Sequence, residues 1–535
     1  MRNKKRLRNL LIAALHVLAI PLLHAQENKV RVKVKADLMG TPDDGIGIAR
    51  MVQGDGSCVV ALKTKAGVRT LGGVPQPQLD WSLVSMNTEN MTVIKTDKPK
   101  IVWGIGPVAL ETIEHFNHQF RLIASKPDPE NARLLLLQQI LSPRSLTGKA
   151  ASMITELPYD RLGKGPEYFK ENTPIGFTTV VSNDSTRLLL QLTPAGTTRA
   201  AGCPVFAMVL DKQMKPLWMN TLTTDPAAKE VHILDTRVDK DGAVWYLVKN
   251  VTDPAPKTNV PGFSFSLYRL DSAGQQEVKM DMPNKSFAQD MGMDVQKDGT
   301  ISCGGIYSDP SAMRNECIGI FRSTLDAGAM KWTTFKLFPY DKQMIKKDER
   351  LQNNMQLDHV WAKKDGGMFV VTEKAGTETH EVSDLSGKKI TKTEWVSGPF
   401  HIMEITPAGE LKWYKKIDRE LDHENAGPGA AISMVYEDVL FLFLNDNESN
   451  LERRKSKEAV LPVNSAKDAI LLEFKPDGSD KGKVVLKENI QHQGFIDGNR
   501  VWRIAPGRVG TVCTEGFGKD KTYAVVIDMS SEQHK

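Results

Sequence analysis

Short apolar runs alternate with polar turns along most of this chain. The runs are rich in β-branched and aromatic residues and extend for roughly five to seven residues, which is the length of a β-strand. Helical periodicity is scarce, and only residues 107–118 and 342–354 carry a pattern that predicts a local helix. The pattern therefore predicts an all-β protein.

Two types of hairpin recur along the chain. In the first type an apolar strand ends in a turn with Asp or Pro-x-Gly, and the next strand often contains Trp. In the second type two strands flank a Lys-Asp-Gly turn, where Gly242, Gly299 and Gly366 can adopt the positive φ that a tight hairpin requires. Copies of the first type lie at 206–222, 265–280, 318–335, 401–417 and 469–486, and copies of the second at 236–248, 293–305 and 359–373.

One hairpin of each type makes a four-stranded sheet, and both faces of that sheet must be covered. Stacking such sheets around an axis covers them, which predicts a β-propeller. Asp211, Asp271 and Asp326 mark successive repeats and are 60 and 55 residues apart, which suits one blade with its loops. Further hairpins at 46–63, 81–96, 120–140 and 177–192 give seven or eight four-stranded blades, and we prefer eight.

Each end of the chain carries a strand pattern without a hairpin partner of its own. Residues 29–38 alternate between apolar and charged positions, and residues 523–529 form the last apolar run. Pairing these N- and C-terminal strands would close the ring and remove two open strand edges. We therefore expect residues 26–535 to form a single propeller domain.

Three polar insertions interrupt the repeats, near 339–354, 376–398 and 445–466. They predict long surface loops, where recognition usually lies on a rigid scaffold. The basic run 452–458 falls in the third insertion and predicts an exposed loop.

The first 25 residues combine a basic stretch, an apolar run and a small residue before Gln26. This arrangement predicts a signal peptide at 1–25 and export of the mature chain to the periplasm, the cell surface or the extracellular space; an uncleaved anchor helix is the alternative. The formal charge of +5 comes from five leader bases, so the mature chain is near neutral and we expect no nucleic-acid partner. No later apolar run approaches a spanning length, so we expect no transmembrane segment in the mature chain.

The five cysteines, Cys58, Cys203, Cys303, Cys317 and Cys513, are odd in number and form no CxxC pair. A metal cluster of cysteines is therefore not expected. Buried unpaired thiols are the preferred interpretation, and a Cys303–Cys317 disulfide stays open as an alternative.

Three segments carry a family resemblance: LDKQMKPLW (210–218), LDAGAMKW (325–332) and TPAGELKW (406–413). They resemble the repeat of the quinoprotein-like β-propellers, which implies that Trp218, Trp332 and Trp413 dock between blades. Enzymes of that superfamily hold a quinone with calcium and an adjacent cysteine pair. This chain has no Cys-Cys pair, so we expect no quinone cofactor; exported assembly scaffolds without cofactor belong to the same superfamily.

Polar residues recur where the second-type hairpins begin, at positions that would converge on the propeller axis. Together they predict an axial ligand pocket, and carboxylates with imidazoles could hold a divalent cation such as Ca²⁺. Turn-forming residues without a ligand role are the alternative. The pocket residues are His232, Asp235, Asp294, Asp358, His359, His423, Glu424, Asp497 and Arg500, with Asp43, Asp44, Asp290 and His492 at related positions.

A second group, Glu111, Glu114, His115 and His118, has ligand-like spacing only if it is helical, and a solvated helix face is the preferred interpretation. We assign no catalytic residue. The sequence favours a monomeric binding or scaffold protein that recognises a protein or glycan through one face of the propeller. The alternative is a metal-assisted hydrolase or lyase that uses the axial carboxylates and histidines.

Overall fold

The computed structural model describes residues 31–35, 46–71, 74–105, 108–162, 169, 174–192, 198–200, 204–256, 261–296, 298–312, 316–340, 355–383, 389–423, 431–463, 468–487, 494–505, 507–515 and 522–529. The predicted signal peptide, the predicted helix at 342–354 and Cys203 lie outside these residues. So do the related pocket positions Asp43, Asp44 and His492.

The strands form eight antiparallel sheets, which we number as blades 1 to 8. The first strand, β1 (Arg31–Lys35), belongs to blade 8. Blade 1 contains β2 (Ile46–Asp55), β3 (Cys58–Leu71), β4 (Val74–Asn87) and β5 (Val93–Asp97). Blade 2 contains β6 (Ala109–Phe116), β7 (Gln119–Asp128), β8 (Arg133–Leu141) and β9 (Ser152–Pro158). Blade 3 contains β10 (Phe177–Val181), β11 (Leu188–Leu192), β13 (Val205–Leu210) and β14 (Pro216–Leu222), with the short β12 (Thr198–Ala200) between them in the chain.

The second half of the chain repeats this arrangement. Blade 4 contains β15 (Glu230–Val238), β16 (Val244–Val251), β17 (Phe263–Asp271) and β18 (Gly274–Lys279), and β12 joins its sheet. Blade 5 contains β19 (Phe287–Val295), β20 (Ile301–Ser308), β21 (Gly319–Asp326) and β22 (Lys331–Pro339). Blade 6 contains β23 (Met355–Ala362), β24 (Met368–Ser383), β25 (Lys389–Ile405), β26 (Leu411–Ile417) and the short β27 (Leu421–His423). Blade 7 contains β28 (Ala431–Tyr436), β29 (Val439–Asp446), β30 (Asp468–Phe474) and β31 (Asp480–Lys487), and blade 8 contains β32 (Gly494–Ala505), β33 (Arg508–Glu515), β34 (Thr522–Asp528) and β1.

Helical structure in the described residues is short. The α-helix α1 (Ser449–Ser456) lies between β29 and β30. Single 3₁₀ turns cover Pro129–Asn131, Tyr159–Leu162 and Pro283–Lys285.

The eight blades form a closed ring. Their innermost strands β2, β6, β10, β15, β19, β23, β28 and β32 are neighbours in that order, and β32 returns to β2. Blade 8 is completed by both chain ends, because β1 pairs antiparallel with β34 from Arg31 opposite Asp528 to Lys35 opposite Ala524. The predicted propeller and its closing strand pair are confirmed, with eight blades rather than seven.

The core lies between blades, so strands in the middle of a blade are buried on both faces. Every residue of β11 and β13 is buried. Between blades 7 and 8, Phe441 and Phe443 pack with Val525 and Ile527. A single blade could not bury these apolar side chains, so the fold requires stacked neighbours.

The predicted turns and docking tryptophans are confirmed. Gly242, Gly299 and Gly366 have φ values of 89°, 94° and 88°. Trp218 Nε1 donates a 3.0 Å hydrogen bond to the Gly242 carbonyl of the next blade.

The other two tryptophans also contact neighbouring blades. Trp413 of blade 6 stacks on Phe474 of blade 7 with ring centroids 6.2 Å apart. Trp332 of blade 5 donates a 2.9 Å hydrogen bond to the Lys279 carbonyl of blade 4, so its bond goes to the preceding blade rather than the next.

An extra residue interrupts the pairing in the first part of five innermost strands. Such a β-bulge bends a strand and redirects its side chains. The pairing shifts between Ile48 and Arg50, Leu110 and Thr112, Ile233 and Asp235, Ala288 and Asp290, and Leu357 and His359.

The bulge explains one wrong prediction. Residues 107–118 do not form a helix: β6 occupies most of this range. The bulge in β6 falls at Glu111 and breaks the simple alternation of a strand, so buried positions recur at irregular spacing that resembles a helical pattern.

The predicted loop at 376–398 is also wrong. This segment is a two-stranded ribbon in which β24 and β25 stay paired out to Ser383 opposite Lys389. Glu381, Lys389 and Thr391 are exposed, because no blade covers this part of the ribbon. Polar residues predominate in a strand that is solvated on both faces, so sequence patterning does not distinguish it from a loop.

The third predicted loop contains a helix. Part of the basic run 452–458 lies in the last turn of α1, where Arg453, Arg454 and Lys455 are placed favourably near the helix C-terminus. Asn450 is buried and Leu451 packs against the core between blades 6 and 7, so only a narrow edge of the helix is apolar.

Cys303 and Cys317 are separate buried thiols, so the alternative disulfide between them is wrong. Cys58 is likewise an unpaired buried thiol, and burial raises its pKa to about 12. Cys513 is buried as well.

We predict that ring closure stabilises the whole propeller. Deleting residues 26–36 in addition to the leader removes β1 and exposes the edge of β34. This deletion should lower the thermal unfolding midpoint by roughly 5–10 °C and produce oligomers through the open edge. Differential scanning calorimetry and size-exclusion chromatography measure both effects. The control is a chain that lacks only residues 1–25; equal midpoints for the two chains would contradict the prediction.

Candidate functional site

The innermost strands surround a central channel with two distinct ends. We call the end where the chain runs into each innermost strand the upper face, and the end with the hairpins between first and second strands the lower face. Each innermost strand has one edge without a strand partner along most of its length. Backbone N–H groups on such an edge need other acceptors.

Carboxylates of blade 5 supply acceptors to the edge of blade 6. Asp290 Oδ2 accepts a 3.1 Å hydrogen bond from the Leu357 N–H, and Asp294 Oδ2 accepts a 2.9 Å bond from the Ala362 N–H. Burial raises the pKa of both carboxyl groups, and these backbone bonds oppose it. Asp294, which the sequence predicted as a pocket residue, therefore connects two blades.

Asp235 of blade 4 pairs with a residue that the sequence did not single out. Arg237 Nε and Nη2 lie 3.1 and 3.0 Å from Asp235 Oδ2. Burial raises the pKa of Asp235, Arg237 opposes that shift, and Asp294 adds to it. Asp235, Arg237 and Asp294 therefore form one electrostatic group on the channel wall.

Asp358 and His359 follow each other on β23 and have different surroundings. Asp358 Oδ2 accepts a hydrogen bond from Ser433 Oγ of blade 7, and Ser433 Oγ in turn accepts a 3.1 Å bond from Trp361 Nε1. Burial raises the pKa of Asp358 to about 7, and the charge of Glu373 adds to this shift. Asp358 therefore titrates near neutrality at the junction of blades 6 and 7.

His359 packs against Trp361 with ring centroids 4.0 Å apart and the ring planes tilted by 34°. Burial lowers its pKa to about 3, and the positive charge of Arg237 acts in the same direction. The imidazole is therefore neutral at physiological pH, and its buried Nε2 atom has no hydrogen-bond partner among the described residues.

Two other predicted pocket residues, His232 and His423, lie elsewhere in their blades. His232 lies nearer the upper face, with Nε2 3.5 Å from Glu230. His423 ends β27, which pairs with the ribbon of blade 6 rather than starting an innermost strand. Arg500 is exposed on β32, and β32 also contains Asp497.

Glu424 lies outside the described residues. Asp497 falls where the pairing of β32 shifts between Ile496 and Val501. The structure therefore brings together Asp235, Asp294 and His359, and places Asp358 at the adjoining blade junction.

The sequence also missed a contact across the channel. Asn183, in the turn between β10 and β11, donates a 2.6 Å hydrogen bond to the Val295 carbonyl of blade 5. Its Oδ1 lies 3.4 Å from Arg503 Nη1 of blade 8. No local pattern could have revealed this contact, because Asn183 and Arg503 are 320 residues apart in the chain.

Glu111 and Glu114 are inter-blade acceptors rather than parts of a helix face. Glu111 accepts N–H groups from Ile175, Gly176 and Phe177 at the start of blade 3, and burial raises its pKa against these bonds. Glu114 accepts hydrogen bonds from Arg50 of blade 1 and Thr179 of blade 3, at 2.8 and 2.7 Å. The same holds for Asn445 Oδ1, which accepts the Ile496 N–H of blade 8 at 3.0 Å.

In the described part of the chain, no three His, Cys, Asp or Glu side chains come close enough together to hold a metal ion. The divalent cation of the alternative function stays a prediction, as does the expected lack of a quinone. Among the described helices, none is both long and apolar enough to cross a membrane.

Comparison with known proteins assigns no family and no function to this chain. No protein-family model and no curated protein matches this chain. Among solved structures, the polysaccharide lyase Uly1 is similar with a TM-score of 0.41 at 10% identity, over 81% of this chain and 92% of that protein.

Two further structures show the same kind of similarity. The β-propeller domain of the Trilobed protease from Pyrococcus furiosus gives a TM-score of 0.32 at 10% identity, over 83% of this chain and 96% of that domain. A puromycin hydrolase gives 0.37 at 12% identity, over 79% of this chain and 52% of that protein. At these values the similarities carry no inference. The structure itself confirms the resemblance to quinoprotein-like propellers only as far as the β-propeller fold.

We predict that Asp358 makes stability fall as pH rises. Its pKa is about 7 in the folded protein and near 3.9 in an unfolded chain, so its contribution is complete below pH 4 and is lost as pH rises through 7. Asp358→Asn should therefore stabilise the protein at pH 8 by about 1–3 kcal/mol and by much less at pH 5, while the amide oxygen of the new side chain can still accept from Ser433.

Urea unfolding at pH 5 and pH 8 measures this difference. Asp477→Asn is the control, because hydrogen bonds from Ser479 lower the pKa of Asp477 and its loss should bring no gain at pH 8. A gain for Asp358→Asn of the same size at both pH values would refute the titration of Asp358.

Proposed function

We propose that this protein is an exported binding or scaffold propeller that recognises a protein or glycan partner through its upper face. The observation that carries the proposal is an ordered apolar tip, residues 101–105, on that face. Val102 is 64% exposed and Ile105 is 96% exposed. Exposed apolar side chains that are held in place mark interaction sites.

The tip has a fixed conformation. Lys126 Nζ donates hydrogen bonds to the carbonyls of Trp103 and Ile105, and Gly104 adopts a φ of 60°. These contacts hold Val102 and Ile105 outward, although removing both side chains from water would be more favourable. A binding role explains why the apolar side chains are presented to solvent.

Other elements rise from the same face and enlarge the surface. The strands β3 and β4 stay paired out to Leu71 opposite Val74, and the ribbon of β24 and β25 extends beyond blade 6. Helix α1 is anchored beside that ribbon, where Arg454 Nε donates a 2.8 Å bond to the Asp418 carbonyl. Such raised elements on a rigid ring favour recognition of a large partner.

The channel residues favour binding over catalysis. Asp290, Asp294 and Glu111 accept backbone N–H groups of the next blade, which accounts for their positions without a reaction. We propose that the mature chain acts outside the cytoplasm as a monomer. The signal peptide that the sequence predicts at 1–25 supports the export. The docking of Trp218 and Trp413 on the next blade supports a shared origin with quinoprotein-like propellers.

One observation favours an enzyme as the second candidate. Burial raises the pKa of Asp358 to about 7 and the charge of Glu373 adds to this shift, and a carboxyl group that titrates near neutrality can serve acid–base chemistry. A hydrolase or lyase would use Asp358 as the proton donor or acceptor. Turnover that is lost in Asp358→Asn would favour this candidate.

We predict that the tip is required for partner binding. Val102→Ser/Ile105→Ser should reduce capture of partners from the native cell envelope at least about tenfold, because it removes the exposed apolar contact. Leu217→Ser is the matched control, since Leu217 is 47% exposed on β14 at the outside of blade 3. Quantitative mass spectrometry of captured proteins and a glycan array measure the two classes of partner.

The unfolding midpoints of both variants must match that of the unchanged protein. Recognition through the tip would be contradicted if both variants lost the same partner, or if the tip variant captured partners as well as the unchanged protein does.

A further inference from the structure

Arg503 reaches into the central channel from blade 8. Its Nη1 lies 3.4 Å from Asn183 Oδ1 of blade 3, and Asn183 is bonded to the Val295 carbonyl of blade 5. Blades 3, 5 and 8 are not neighbours in the ring. Asn183 contacts both other blades, so its side chain and that of Arg503 must lie near the axis, toward the lower face.

Arg503 is at the same time enclosed and accessible to water. Arg503 is exposed to solvent, yet burial by the surrounding protein lowers the pKa of its guanidinium. The charge of Asp294 opposes this shift, and the charge of Arg237 adds to it. Both facts hold for a group that faces a water-filled space surrounded by protein. The channel is such a space.

The guanidinium of Arg503 has donors to spare. Asp235 is taken by Arg237 at 3.0 Å, and Asp294 accepts the Ala362 N–H. Across the described ranges, no carboxylate lies within the 4.0 Å of an ion pair with Arg503, and its one side-chain hydrogen bond is the long contact with Asn183. An enclosed cation without an anion is costly, whereas Arg237, another cation of the channel wall, is paired with Asp235.

Apolar side chains border the same space. Leu234, the bulged residue of β15, is 42% exposed, and Val501 of β32 is 38% exposed. Both lie on innermost strands, whose edges line the channel. The innermost strands therefore combine a planar cation that has no ion-pair partner among the described residues with exposed apolar side chains.

We propose that Arg503 is the anchor of a binding site inside the channel, toward its lower face, for the carboxylate group of a ligand. The planar fork of a guanidinium matches a carboxylate with two parallel hydrogen bonds. Leu234 and Val501 contact the uncharged part of the ligand. This inference deepens the proposed binding function and rests on it, because it names the chemistry of the group that is recognised.

A carboxylate can come from an acidic sugar or from the C-terminus of a peptide. Isothermal titration calorimetry with D-glucuronate and D-glucose tests the first source, and a tripeptide with a free or an amidated C-terminus tests the second. The unchanged protein should bind at least one carboxylate probe about tenfold or more tightly than its uncharged counterpart. Equal binding of both members in both pairs would overturn the proposal.

Variants locate the site. Arg503→Gln should lose that preference, whereas Arg503→Lys should retain part of it because charge remains while the fork is lost. Arg144→Gln is the matched control, since Arg144 is exposed between β8 and β9 and donates to Ser57 Oγ. The same preference in Arg503→Gln and in Arg144→Gln would overturn the assignment to Arg503.

A measurement on the unchanged protein covers the case in which Arg503→Gln does not fold. Phenylglyoxal modifies accessible arginines, and the preferred carboxylate probe should protect Arg503 severalfold while it leaves Arg144 unprotected, as read by peptide mass spectrometry. Equal modification of Arg503 with and without the probe would overturn the proposal. Partner capture that depends on the tip would remain in that case, so the two proposals fail separately.

Discussion

The antiparallel pairing of β1 with β34 is the constraint on which the rest of this structure depends. It joins the two ends of the described chain within one blade and thereby turns a row of sheets into a ring. Only in a closed ring is every blade covered on both faces, which the continuous burial of β11 and β13 requires. Closure also brings eight innermost strands to a common axis, and so creates the channel and its two unlike faces.

Closing the ring covers the blades that would otherwise end the row of sheets. The innermost strands still present an unpaired edge to the channel. The N–H groups of that edge need hydrogen-bond acceptors, and polar side chains of one blade accept many of the hydrogen bonds that the N–H groups of the next blade donate. Glu111 does so for blade 3, Asp294 for blade 6 and Asn445 for blade 8. In blade 4 the strand β12 covers part of the edge instead. The carboxylates near the axis are thus explained first by hydrogen bonding between blades.

Local features of the fold were predictable from the sequence because local chemistry determines them. Gly366 and its Lys-Asp-Gly turn need no distant partner, and the alternation of 29–38 marks a strand wherever it pairs. The ribbon at 376–398 and the strand at 107–118 were not predictable, since full solvation and a bulge each hide the period of a strand. Of the candidate site, sequence order placed Asp235 and Asp294 at the axis, but it could not pair Arg503 with Asn183, 320 residues away.

The two kinds of charge at the axis have different explanations. A strand edge presents N–H groups that bond a carboxylate and C=O groups that bond a cation, so either kind of charge can gain hydrogen bonds from the fold itself. Arg237 gains its stabilisation from Asp235, but Arg503 has no comparable acceptor among the described residues. Its charge is therefore not accounted for by the needs of the ring. In a propeller of this kind, a cation that the fold does not pair is a more specific marker of a ligand site than the more numerous carboxylates.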